Sequence, residues 1–108
     1  MSVEAGRISE DRACSYLVNQ GYIIVERNFF SRFGEIDIIA KKDGVLHFVE
    51  VKYSKNSDPI LRITPLKMKK IIKTINFYLL KTSFLGNYEI DALLVTPTEI
   101  EIIKNISY

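Results

Sequence analysis

Apolar residues recur along this chain at two spacings, and the changes between them mark out its elements. Ala13, Cys14 and Leu17 form a stripe at helical spacing within residues 3–20, and Gly21 stands where a helix most often stops. Tyr22 to Phe29 then reads Tyr-Ile-Ile-Val-Glu-Arg-Asn-Phe, rich in the β-branched and aromatic side chains that suit a strand. Glu35 to Lys41 and Val45 to Tyr53 are two further strands. Between them stands Asp43-Gly44, the dipeptide that best accepts the positive φ angles of a two-residue hairpin turn. Residues 54–63 are polar and rich in turn formers, and read as a loop that could move. Thr64-Pro65 offers a helix cap followed by a first-turn proline, and Met68, Ile71, Ile72, Ile75, Tyr78 and Leu79 continue at helical spacing to about Lys81. Tyr88 to Val95 and Ile100 to Lys104, separated by Thr96-Pro97, are the last two strands. The order helix, three strands, helix, two strands predicts an α/β fold, with a central mixed sheet of about five strands flanked by helices.

The hairpin permits a geometric step. A two-residue turn makes Lys42 and Val45 partners, and that register places Asp37 opposite Glu50 and Glu35 opposite Lys52. Opposed residues project from the same face, so alternation brings Glu35, Asp37, Glu50 and Lys52 together. Two facing carboxylates destabilise a ladder unless something compensates them, and a divalent cation would. Mg²⁺ takes one or two carboxylates plus waters and phosphate oxygens, which an Asp and a Glu on adjacent strands can supply. An ammonium beside the ion, that of Lys52, can orient the attacking water and neutralise charge on a phosphate. The plainer reading is a solvated strand face on which Lys52 pairs with Glu35.

Composition narrows the setting. The chain has 108 residues, 47% hydrophobic and 26% charged, so one domain over residues 1–108 is expected. The single cysteine, Cys14, excludes an intrachain disulfide and offers no zinc-type spacing, which suits a reducing cytoplasm. The N-terminal stretch lacks the apolar core of a signal peptide, and no apolar run approaches the roughly 20 residues of a membrane span, so no membrane partner is expected. The net charge of +2 says little by itself. From Lys52 to Lys81, however, eight basic residues face only Asp58. Lys55, Lys69, Lys70 and Lys73 are candidate contacts to nucleic-acid phosphates, which carry affinity but no sequence information. The alternative is a solvated helix face.

Asp37 followed by Glu50-Val51-Lys52 resembles the PD-(D/E)xK nuclease signature. More closely, Gly6-Arg7-Ile8-Ser9-Glu10-Asp11-Arg12-Ala13, Gly21-Tyr22, Arg27-Asn28-Phe29, Gly34-Glu35-Ile36-Asp37, Phe48-Val49-Glu50-Val51-Lys52, Thr64-Pro65-Leu66-Lys67 and Tyr88-Glu89-Ile90-Asp91 resemble the YraN-type family of uncharacterised bacterial endonuclease-like proteins. The resemblance spans nearly the whole chain. It implies a restriction-endonuclease-like fold, Asp37, Glu50 and Lys52 as the catalytic set, Mg²⁺ or Mn²⁺ as cofactor, and DNA as the first expected partner. It also implies, by likeness to Holliday-junction resolvases, that Glu10 on the first helix joins Asp37 and Glu50 at the metal, and that Lys67 borders the site. Glu35 is a supporting candidate, pairing with Lys52 or completing the metal shell. Two departures stand out: Ile36 precedes Asp37 where the signature has proline, and Tyr53 follows Lys52 where a small hydroxyl residue is common.

His47, the sole histidine, alternates onto the face opposite Glu50 and is rejected as a general base. Glu89 and Asp91 alternate likewise, but no partner is identifiable for them in the sequence, and they are read as structural. The expected function is a metal-dependent nuclease hydrolysing phosphodiester bonds in DNA, branched or damaged DNA included. The alternatives are a silent nucleic-acid-binding module on the same scaffold, or an adaptor using a sheet edge or a homodimer interface.

Overall fold

The computed structural model describes residues 3–55 and 63–106. Helix α1 runs Val3–Asn19, strands β1 Ile23–Ser31, β2 Gly34–Lys42 and β3 Val45–Tyr53 follow, then helix α2 Pro65–Thr82, and strands β4 Tyr88–Val95 and β5 Ile100–Ile103. The expected order holds, with β1 reaching two residues beyond Phe29 and β5 stopping one short of Lys104. Most of the expected loop, residues 56–62, lies outside the described residues.

The strands form one sheet in the order β1-β2-β3-β4-β5. All neighbours are antiparallel except β3 and β4, which run parallel because α2 carries the chain back between them. The hairpin has the expected register: Lys42 pairs with Val45, and Asp43 and Gly44 have φ angles of 52° and 78°. Both central residues of that turn therefore adopt the positive φ that Asp-Gly tolerates.

The helices cover opposite faces. On one, Met68, Ile71, Ile75 and Tyr78 of α2 pack with Phe29, Ile36, Ile39, Phe48 and Ile90. On the other, Ala13 and Leu17 of α1 pack with Tyr22, Ile38, Ala40, Val49 and Leu93. Each fully buried Ile, Leu or Phe in these layers contributes about 1.5–3 kcal/mol relative to exposure. Thr64 caps α2 as its pattern predicts, its Oγ1 accepting the Lys67 N–H at 3.1 Å, with Pro65 in the first turn. That cap sets the direction of the first turn and hence the position of Lys67.

One irregularity interrupts the alternation of β2. Ile36 and Ile38, two residues apart, point into opposite layers, so the pattern slips at Asp37. Opposite Asp37 on β1 lies Asn28, between the pairs Arg27–Ile38 and Phe29–Ile36, with a left-handed φ of 53°. Asparagine is among the few residues that adopt this backbone readily.

Candidate active site

The β2–β3 ladder ends at the pair Ile38–Val49. Beyond it β2 continues along β1 to Gly34, and β3 continues along β4 to Tyr53, so the two strands part into a fork. The register expected from the turn is right, but Asp37–Glu50 and Glu35–Lys52 are not ladder partners. Asp37 instead uses its side chain as the last rung, its Oδ2 accepting the Val51 N–H at 2.8 Å. The carboxylates thus meet across an opening rather than on one flat face.

Glu50 follows Phe48 in alternation and shares its side of the sheet, where α2 lies, and only 3% of it is exposed. Burial and the nearby Asp37 charge raise its pKa to about 8, against the opposing ammonium charges of Lys67 and Lys52. Asp37 is likewise raised, mainly by burial, with the Val51 hydrogen bond and then Lys67 and Lys52 opposing. Glu35 is raised by burial, then by Asp37 and Glu10, with Lys67 opposing. Glu10, on α1, is raised by burial and by Asp37, and opposed by a hydrogen bond from Asn28 and by Arg27, whose Nη2 lies 3.8 Å from Glu10 Oε1. Four carboxyl groups on three elements therefore feel one another's charge.

The cation nearest Glu50 is Lys67, its Nζ 3.9 Å from Glu50 Oε2, with 46% of the lysine side chain exposed. Lys52 is half-buried and acts on both Asp37 and Glu50, without an ion pair to Glu35 among the described residues. The other oxygen of Glu50, Oε1, is buried and has no hydrogen-bond partner. A buried carboxylate oxygen without a donor is costly, by about 1–3 kcal/mol or more for a charged group. Raised carboxyl pKa values together with an orphaned oxygen describe a donor set that a divalent cation fits, with hard oxygen ligands whose mutual repulsion the ion would relieve. Lys55, Lys69, Lys70 and Lys73 are exposed, the last three on α2 beyond Lys67.

On the opposite face a second polar group forms that the sequence did not disclose. His47 Nδ1 lies 2.7 Å from Asp91 Oδ2 and 3.6 Å from Glu89 Oε2. Parallel pairing sets His47 beside Glu89 and Val49 beside Asp91. The signal was the shared alternation of His47 and of Glu89 with Asp91, unusable until β4 is known to lie next to β3.

A profile of the Uncharacterised protein family UPF0102 matches residues 9–95. A UPF0102 protein of Campylobacter fetus subsp. fetus is 56% identical over 100 residues, covering 92% of this chain and 89% of that protein. One of Helicobacter pylori strain P12 is 52% identical over 105 residues, covering 97% and 92%, and one of Nitratiruptor sp. is 49% identical over 102 residues, covering 94% and 91%. Among solved structures, Hjc of Archaeoglobus fulgidus, a Holliday junction resolvase from an archaeal hyperthermophile, matches with a TM-score of 0.62 at 18% identity, over 91% of this chain and 75% of that one. The fold is therefore restriction-endonuclease-like. No helix among the described residues is long and apolar enough to cross a membrane.

Proposed function

This chain belongs to the UPF0102 family, and from that premise and the fork between β2 and β3 we propose that it is a Mg²⁺- or Mn²⁺-dependent nuclease acting on DNA. The observation that carries the reading is the convergence of Asp37 and Glu50, both with raised pKa, at the one place where their strands part. The likeness to a junction resolvase supports DNA as substrate and branched DNA as the first form to test.

Asp37 and Glu50 would hold the metal, with Glu10 approaching from α1 and Glu35 behind them. When bound, a divalent ion supplies a water of lowered pKa and Lewis-acid polarisation of a phosphate. Lys52 would lie beside the scissile phosphate, where its ammonium would neutralise the charge that builds on it and could orient an attacking water. Lys67 opposes the rise in Glu50's pKa, because an ammonium 3.9 Å away favours the charged, ligating carboxylate, and a bound dication would favour that form further. The exposed Lys69, Lys70 and Lys73, with Lys55 two residues after β3, take phosphates along the strand and confer little sequence preference. His47 has no part in this chemistry, since it lies on the other face.

The test is cleavage of linear duplex, single-stranded and four-way-junction DNA with Mg²⁺ or Mn²⁺, using Asp37→Asn and Glu50→Gln as controls. Expected is metal-dependent cleavage that falls by ~10²–10³-fold or more in each variant. Salt-sensitive binding with no cleavage under either metal would replace the enzyme with a binding module.

A further inference from the structure

The group around His47 has the composition of a different kind of site. Asp91 is fully buried, and its second oxygen, Oδ1, accepts the Asn105 N–H at 2.9 Å. Glu89 is raised in pKa by its hydrogen bond to Asp91, then by burial and by the Asp91 charge, with His47 and Lys104 opposing. The three ligand atoms His47 Nδ1, Asp91 Oδ2 and Glu89 Oε2 all lie within 4.8 Å of one another.

Two unsatisfied polar atoms belong to the same spot. Among the described residues three buried side-chain polar atoms lack a hydrogen-bond partner: Glu50 Oε1 at the fork, and Glu89 Oε2 and the Tyr22 hydroxyl near His47. Tyr22 is 4% exposed and sits edge-on to the His47 ring, with centroids 4.9 Å apart. Burial raises its phenol's pKa. Lys104 opposes that rise by its charge and by a weak hydrogen bond to the hydroxyl, and the Asp91 and Glu89 charges add to it. Beside the His47 ring, a buried hydroxyl held only weakly by Lys104 and a carboxylate oxygen without a donor are two groups that one ion could order together.

We propose that His47 Nδ1, Asp91 Oδ2 and Glu89 Oε2 bind one transition-metal dication of the Zn²⁺ class, with the Tyr22 hydroxyl as a hydrogen-bond donor to the ligating carboxylates. The imidazole selects this class over Mg²⁺, which prefers oxygen ligands and open, hydrated positions. Two carboxylates and an imidazole supply the donors of such a dication, and the exposed Lys104, hydrogen-bonded to the Tyr22 hydroxyl, turns outward when the ion takes over its charge. Because a metal competes with protons for such ligands, its uptake is accompanied by proton release. Tetrahedral ligands about 2.0–2.1 Å from zinc stand a little over 3 Å apart, so the 2.7 Å His47–Asp91 contact opens by about half an ångström on binding. With three protein ligands and a partly exposed Glu89, the fourth position is open to water. The site clamps the starts of β3 and β4 and the entry to β1, and is independent of the proposed nuclease chemistry.

The chain has a single histidine, which gives an unambiguous readout. Full-length protein stripped with EDTA is titrated with Zn²⁺ against a chromophoric chelator, and the imidazole ¹⁵N resonances are followed by NMR. Expected are one Zn²⁺ bound per chain, a large shift of His47 Nδ1, and a rise in melting temperature, none of which Mg²⁺ produces. His47→Gln and Glu89→Gln should each weaken Zn²⁺ binding by more than ~100-fold, and Tyr22→Phe by ~10–100-fold. The double variant Asp37→Asn, Glu50→Gln should bind as the unaltered chain does. An unmoved Nδ1 resonance, no zinc uptake, or uptake lost only in the fork variant would each overturn the proposal. The NMR titration decides even if His47→Gln fails to fold.

Discussion

The two ends of β3 bury carboxylates in opposite ways. At its start, Asp91 from the neighbouring strand is fully enclosed and both of its oxygens are engaged, one by His47 and one by the Asn105 amide. Near its end, Glu50 is almost as buried, yet one oxygen has no donor and its strongest cationic contact, Lys67, stands 3.9 Å away. The sheet is continuous at the first place and forked at the second. Between paired strands Asp91 finds a donor for each oxygen, although Glu89 beside it does not; where the strands part, Glu50 is buried with one oxygen unsatisfied. Burial of Glu50 at the fork thus costs stability, whereas the satisfied Asp91 contributes to it.

Substitutions should therefore differ in sign between the two places. Asp91→Ala removes the acceptor of the buried His47 ring and of the part-buried Asn105 N–H, and is expected to cost ~3–5 kcal/mol in metal-free buffer, read from denaturant melts. A loss under ~1 kcal/mol would erase the contrast.

Glu50→Gln should do the reverse at high pH. Its folded pKa of about 8 lies above the ordinary 4.5, so the folded chain keeps a proton that the unfolded chain gives up. Stability consequently falls as pH rises from about 4.5 towards 8 and levels off beyond. Without metal the variant should exceed the parent by roughly 2–4 kcal/mol near pH 9, and the gap should close near pH 5. Equal gaps at both pH values would show that Glu50 is not the group responsible.

Asp37 separates charge from hydrogen bonding at the fork. Asn keeps an oxygen for the Val51 N–H and Ala does not, so Asp37→Ala is expected to be less stable than Asp37→Asn by about 1–3 kcal/mol. Thermal melts of the pair at one pH measure it directly.

Asn28 tests the kink that accompanies the fork. With φ at 53°, Asn28→Val should cost about 1–2 kcal/mol while Asn28→Gly stays near neutral. Similar losses in both would assign the effect to the lost Glu10 contact rather than to the backbone.

The elements and the hairpin register were legible along the chain because each rests on neighbours in sequence. Apolar spacing marks helix or strand, Asp43-Gly44 sets the turn, and Thr64-Pro65 starts α2. The meeting of Asp37 with Glu50 was legible for the same reason, since a single tight turn joins the strands that carry them. Where the ladder stops was not, since that depends on β1 and β4 holding the outer sides of β2 and β3. Nor could spacing alone show that Lys67, and not a Lys52–Glu35 pair, supplies the ion contact at the fork; the packing of α2 decides it. The union of His47 with Glu89 and Asp91 belongs wholly to tertiary structure. It requires β4 to lie parallel to β3 after a crossover through α2, and only the burial of both sheet faces selects that neighbour.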